Sequence, residues 1–238
     1  MTADGRCTGF DGRTRTIQSN THQKLFAIPN TAIAIAHHGE NIIGGKPVKE
    51  FLADFTIQHP LICESSVDQI ADSLKKYADE DARNTLWSIP ASKVIGFWIT
   101  GFVRNRSHPE LVEICWTKDV SAGTITLEKK GDRNLVFILG GDAQEFVRQY
   151  HEKPIDGMYD WKSIPHESSN YAIKFHAKLY GLAESAQNQN QEQLFGGKKH
   201  QLVITRDGSH WTMPPHQTSE ADPCSSSSFT AGNQSPVA

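Results

Sequence analysis

Apolar and polar positions divide this chain into strands and paired helices. The opening TADGRCTGFDGR reads as the end of a strand running into a glycine-rich turn, with Thr14 to Gln18 starting the return. Gln23 to Ile28 alternate, Pro29-Asn30 is a turn signal, and Thr31 to Ala36 run back, which predicts a hairpin. After Gly44-Gly45, Pro47 suits the first position of a helix with Val48, Phe51, Leu52 and Phe55 on one face. Ser65-Ser66 before Asp68 marks a capped start, and Val67, Ile70, Ala71, Leu74, Tyr77 and Ala78 keep helical spacing to about Arg83. Lys93 to Arg104, Leu111 to Thr117 and Thr124 to Glu128 are rich in β-branched and aromatic residues at hairpin intervals, and Asn134 to Leu139 add a strand before Gly140-Gly141. Asp142 with Glu145 caps a short helix through Tyr150, and Ser168 or Ser169 caps a longer one carrying Ala172, Phe175, Leu179, Leu182 and Ala183. Gln187 to Gln193 form a polar loop, and the last strands flank an Asp207-Gly208 turn.

Helices that arrive in pairs between runs of antiparallel strands predict an α+β fold, a four-layer αββα sandwich of two stacked sheets with a helix pair outside each. The folded domain is placed at residues 1–213. The tail, 214–238, is rich in Ser, Pro, Thr and Gln, and its few large apolar groups predict disorder. With 238 residues and a net charge of −3, the composition gives no pull toward nucleic acid or a membrane surface. No apolar run approaches the roughly 20 residues of a membrane helix, and the N-terminus has no signal core. Cys7, Cys63, Cys115 and Cys224 are scattered without CxxC spacing, which suits reduced thiols and a cytoplasmic location better than a disulfide frame or zinc site.

Four pieces of sequence resemble the N-terminal nucleophile hydrolases, specifically the bacterial proteasome-like branch of 20S proteasome subunit type. They are Ala3-Asp4-Gly5-Arg6, the strand at Gln23-Lys24-Leu25-Phe26, the Gly140-Gly141 entry to a helix, and Phe195-Gly196-Gly197 leading to Leu202 to Thr205 and Asp207-Gly208. They occur in the family's order and at similar spacing over nearly all of the folded part. The resemblance implies an N-terminal Thr, Ser or Cys whose own α-amine is the base. An unactivated hydroxyl is a poor nucleophile, whereas an α-amine with a pKa of about 8 is a base near neutral pH. By matching motifs, Lys24 lowers the pKa of that amine, Asp4 holds the lysine charged, and Gly39 offers its N–H to the oxyanion.

Each of these residues also has an ordinary reading. A lysine at a strand start is usually a solvated charge, an Asp-Gly aspartate bonds locally in a turn, and a glycine permits positive φ. Adjacent His37-His38 invite a metal, but successive strand residues point to opposite faces, so no metal site is expected, nor is any cofactor. Basic pairs such as Lys129-Lys130 and Lys198-Lys199 are turn residues in water rather than a nucleic-acid surface.

The chain departs from the family pattern in three places. Only Met1 and Thr2 precede the Ala3-Asp4-Gly5-Arg6 motif, where the family has a whole strand bearing the nucleophile. A strand covers about 17–20 Å, so Thr2 is misplaced for the role. The expectation is that Met1 is an internal methionine and that the product has an upstream strand opening on Thr, Ser or Cys. Leu139-Gly140-Gly141 lacks the serine of the active pattern, and Glu192 and Phe195 stand where it has aspartate and serine. Glu192 keeps an acceptor, a weak candidate; Phe195 cannot replace a hydroxyl. The function expected is a threonine-peptidase-like amidohydrolase subunit acting on a peptide or amide, inactive as written. The alternative is a non-catalytic, self-assembling scaffold subunit. Either implies a homo-oligomer, a ring or stacked layers.

Overall fold

The strand Ile33–Gly39 sits second from the edge of the larger sheet, and its alternation sets both cores. The computed structural model describes residues 1–10, 15–60, 65–103, 108–132, 173–178, 180–181, 184–185 and 196–215. In chain order, β1 (Thr2–Ala3), β2 (Cys7–Phe10) and β3 (Arg15–Ser19) lead to the hairpin of β4 (Leu25–Ala27) and β5 (Ile33–Gly39). Short β6 (Ile42–Ile43) and β7 (Lys46–Pro47) precede α1 (Val48–Gln58) and α2 (Val67–Ser88). Then come β8 (Val94–Phe102), β9 (Pro109–Asp119) and β10 (Thr124–Asp132), and finally β11 (His200–Thr205) and β12 (Gly208–Met213). The large sheet has the order β10-β9-β8-β5-β4 and the smaller one β1-β11-β12, every pairing antiparallel.

On one face of the large sheet, Ile33 and Ile35 of β5, Ile95, Phe97 and Ile99 of β8, and Val112, Ile114 and Trp116 of β9 pack with α1 and α2. Full burial of each aliphatic or phenylalanine side chain there contributes about 1.5–3 kcal/mol. On the opposite face, Leu25, Ala34 and Ala36 meet Leu202, joined by Ala3, Trp98, Ile204 and Trp211. Small alanines on β5 let the second sheet approach. Beyond that sheet, residues 173–178 and 180–181 are helical, with Phe175 and Tyr180 buried, and Gln201 Nε2 donates to the Ile173 carbonyl at 3.5 Å. Helices, sheet, sheet and helix make up the αββα arrangement expected.

The helices differ from expectation at their ends. Pro47 precedes α1 as its N-cap rather than occupying its first turn. Helix α2 opens on a capping box in which Ser66 and Gln69 bond each other's backbone N–H, so Gln69 rather than Asp68 completes the motif. The helix continues past Arg83 to Ser88, and its buried stripe extends to Leu86. No glycine ends it. Lys118 of β9 reaches across, and its ammonium donates to the carbonyls of Leu86 at 3.0 Å, Trp87 at 3.4 Å and Ile89. A buried lysine thus serves the orphan carbonyls and negative end of the helix. Asp79 on the same helix accepts from Trp116 Nε1 at 2.8 Å and Arg83 Nε at 2.9 Å, and these bonds hold its carboxyl below the usual range.

At the final hairpin the turn residues are Arg206-Asp207, and Gly208 already begins β12. The strand at 134–139, the helix at 142–150, Gly140-Gly141 and most of the 214–238 tail lie outside the described residues. Replacing Lys118 by Met should destabilise the domain by about 1.5–3 kcal/mol, because bonds from a charged donor to helix carbonyls are lost. Urea unfolding at neutral pH measures this.

Candidate functional site

Asp4 follows β1 directly, and the chain turns there because Gly5 places its carbonyl against the His22 N–H at 2.8 Å. That leaves Asp4 buried, 7% exposed, where an unpaired carboxylate is costly. It is well partnered. Oδ1 accepts from Lys24 Nζ at 2.7 Å, and Oδ2 accepts from the N–H of Arg6 at 3.3 Å and of Gly196 at 3.2 Å. One carboxylate therefore ties the first turn, the entry to β4 and the approach to β11.

The same three segments are stitched again at Asn20. Its Oδ1 accepts from Arg6 Nε at 3.0 Å, and its carbonyl accepts from the Lys198 N–H at 2.7 Å. Gly197, at φ 73°, lies so close that an added Cβ would fall 2.5 Å from the Asn20 carbonyl oxygen. Tyr180, from the outer helical layer, donates to the Gly197 carbonyl at 3.4 Å and carries Lys199 Nζ 4.0 Å over its ring. Burial first, and then the negative charges of Asp4 and Glu184, push its phenol above the ordinary range.

Lys24 enters from the other side. Its backbone carbonyl accepts the His37 N–H at 2.9 Å, extending the β4–β5 ladder by one pair. Bonds from the Phe102 N–H to the Ala32 carbonyl and from the Glu40 N–H to the Val94 carbonyl fix the parity of β5 against β8. Even-numbered residues of β5 exchange bonds with β8, and odd-numbered ones turn their N–H toward β4. Gly39 is two residues beyond His37, so its N–H is directed to the Lys24 side of the strand. Gly39 also has a local reason to be glycine: its φ is 89°, and a Cβ would fall 2.1 Å from the Val94 carbonyl oxygen.

The two histidines point to opposite faces, as strand alternation requires. His37 lies beside Phe97 on the face carrying α1 and α2, with ring centroids 5.4 Å apart. His38 stacks on Trp98 on the inter-sheet face at 4.6 Å, its Nε2 3.6 Å from Glu113 Oε1. The proximity of the His38 ring, and then of Trp98, holds the Glu113 carboxyl below its usual range. Among the described residues no group of three or more His, Cys, Asp or Glu is arranged to hold a metal ion. No helix among them is long and apolar enough to cross a membrane.

Thr2 is occupied elsewhere: its Oγ1 accepts from Gln201 Nε2 at 3.1 Å within the β1–β11 pair. The Met1 ammonium donates to the Leu202 carbonyl at 2.8 Å, and burial lowers its pKa to about 6. Of the residues singled out from sequence, the structure joins Asp4 with Lys24 and sets Gly39 on the neighbouring strand; Glu192 and Phe195 lie outside the described residues. Asn20, Tyr180 and the Gly196 N–H carry no local signal of their roles. Only the glycine pair at 196–197 marked that segment.

No protein-family model and no curated protein matches the chain. A search of solved structures finds Anbu from Hyphomicrobium sp. strain MC1 at 12% identity and a TM-score of 0.45, covering 89% of this chain and 79% of that one. A Gly39→Ala substitution should cost at least about 2 kcal/mol, through positive φ and contact with the Val94 carbonyl. Denaturant unfolding that leaves stability unchanged would show that the strand end relaxes freely.

Proposed function

We propose that this chain is a proteasome-like amide hydrolase domain whose nucleophile is an N-terminal Thr, Ser or Cys. The observation that carries the reading is the 2.7 Å contact of Lys24 Nζ with Asp4 Oδ1. Two residues twenty positions apart, assigned to complementary roles by motif alone, meet in a partly buried pair. Lys24 keeps part of its side chain accessible while Asp4 is buried behind it. An ammonium held in that way disfavours a second positive charge beside it, which suits the task of keeping a neighbouring α-amine neutral and basic.

In this reading the α-amine takes the proton from the hydroxyl or thiol as its oxygen or sulfur attacks the amide carbonyl. The Gly39 N–H stabilises the oxyanion, the amine passes the proton to the leaving nitrogen, and water then cleaves the acyl-enzyme. Asp4 acts through Lys24 and touches no substrate. Glu192 is a weaker acceptor candidate. The nucleophile belongs to a strand leading into Asp4; Thr2, bonded to Gln201, is not assigned that part.

A second reading keeps the fold and the ion pair without turnover, as a self-assembling scaffold. Its support is large apolar side chains left in solvent on the helical layer, Ile57 at 76% and Trp87 at 53% exposed. Both readings place the protein in the cytoplasm as a homo-oligomer.

Labelling the natural protein with a peptide-like electrophile, followed by intact mass and peptide mapping, separates them. The hydrolase reading expects one adduct on the N-terminal residue and labelling at least about 10²-fold slower in Lys24→Ala, the scale of a lost acid–base contribution. No adduct from a protein that forms large particles in light scattering would establish the scaffold instead.

A further inference from the structure

His37 is a polar side chain in an apolar setting. It is 4% exposed, faces Phe97, and neither of its ring nitrogens has a hydrogen-bond partner. An unsatisfied buried polar group costs about 1–3 kcal/mol, so an apolar residue of similar size would fit this position better for stability alone. Its backbone N–H is bonded to the Lys24 carbonyl, at the point where β4 begins.

The groups that face His37 are unfavourable to a proton. His22 comes from the segment before β4 and Lys24 from the entry to β4, and both oppose a proton on His37, as does His38 from the opposite face of β5. The Glu40 backbone is the one neighbour that favours the proton, without meeting hydrogen-bond geometry. Burial is the largest cause holding His37 well below the ordinary imidazole range, and the charges of His22, His38 and Lys24 add to it. Lys24 cannot readily withdraw, because Asp4 fixes it.

We propose that His37 is an acid-operated latch beside the Lys24–Asp4 pair. A proton taken up by His37 sets it against His22 and Lys24 and parts β5 from β4 at the His37–Lys24 backbone bond. The closed site is then a property of neutral or alkaline conditions.

The direction follows from linkage. Above a pH of about 6.5 the imidazole is neutral whether the junction is closed or open, and His37 contributes no pH dependence. Below it, the open form binds a proton that the closed form excludes. Each further pH unit then shifts the balance about tenfold toward opening, until the closed form also protonates. His176, lowered to about 4 chiefly by burial, acts in the same direction. It is common to wild type and a His37 variant, so a comparison isolates His37.

The test is amide hydrogen exchange on the full chain between pH 7.5 and 5.5, corrected for the intrinsic pH dependence of exchange and read at the His37 amide. Wild type should show opening that rises about fivefold from pH 6.5 to 5.5, and His37→Phe or His37→Leu should flatten that rise. Equal rises in wild type and variants overturn the proposal. If neither variant folds, the His37 Cε1–H resonance of wild type decides. A neutral shift held until protection is lost supports the latch, whereas titration near 6.5 with protection intact overturns it. No substrate is involved, so these readouts stand whether or not the site hydrolyses amides.

Discussion

A single buried carboxylate organises this end of the molecule. Asp4 has its Oδ1 on the Lys24 ammonium and its Oδ2 on the backbone N–H groups of Arg6 and Gly196, so three segments far apart in sequence converge on one side chain. A buried anion is tolerable only with such partners, and once they are gathered the geometry of the turn, the strand entry and the glycine loop is fixed together. Asn20 and Tyr180 reinforce the same junction from the other side of the loop. The consequence is a lysine presented in one orientation and partly sheltered from solvent.

Strand β5 connects that junction to the rest of the fold. Its odd-numbered isoleucines anchor it to the helices, its even-numbered alanines admit the smaller sheet, and its final residues bring His37 and Gly39 alongside Lys24. Core and site are thus two readings of one alternation. The same period that buries Ile33 and Ile35 directs the His37 N–H to Lys24. A one-residue slip would exchange the faces and take the site apart with the core.

What was legible in the sequence is what depends on local pattern. The stripe from Val67 to Ala78, the β4–β5 hairpin and the alternation of β9 all follow from the spacing of apolar residues, and two sheets between helical layers follow from their order. Where the stop signal was absent, so was the boundary. Helix α2 runs past Arg83 because its cap is Lys118, thirty residues downstream on another element, which no local reading anticipates. The site divides along the same line. Asp4 and Lys24 were found through motifs, but the Gly196 N–H, Asn20 and Tyr180 join them only through tertiary closure, and the burial of His37 depends on Phe97 across the sheet.

Everything at this junction requires that Asp4 and Lys24 act on one another rather than merely lie close. A double-mutant cycle with Asp4→Asn, Lys24→Met and both together, followed by denaturant unfolding at neutral pH, measures that directly. A coupling of about 1–3 kcal/mol that survives high salt is expected for a pair sheltered from solvent. A coupling indistinguishable from zero would contradict that requirement.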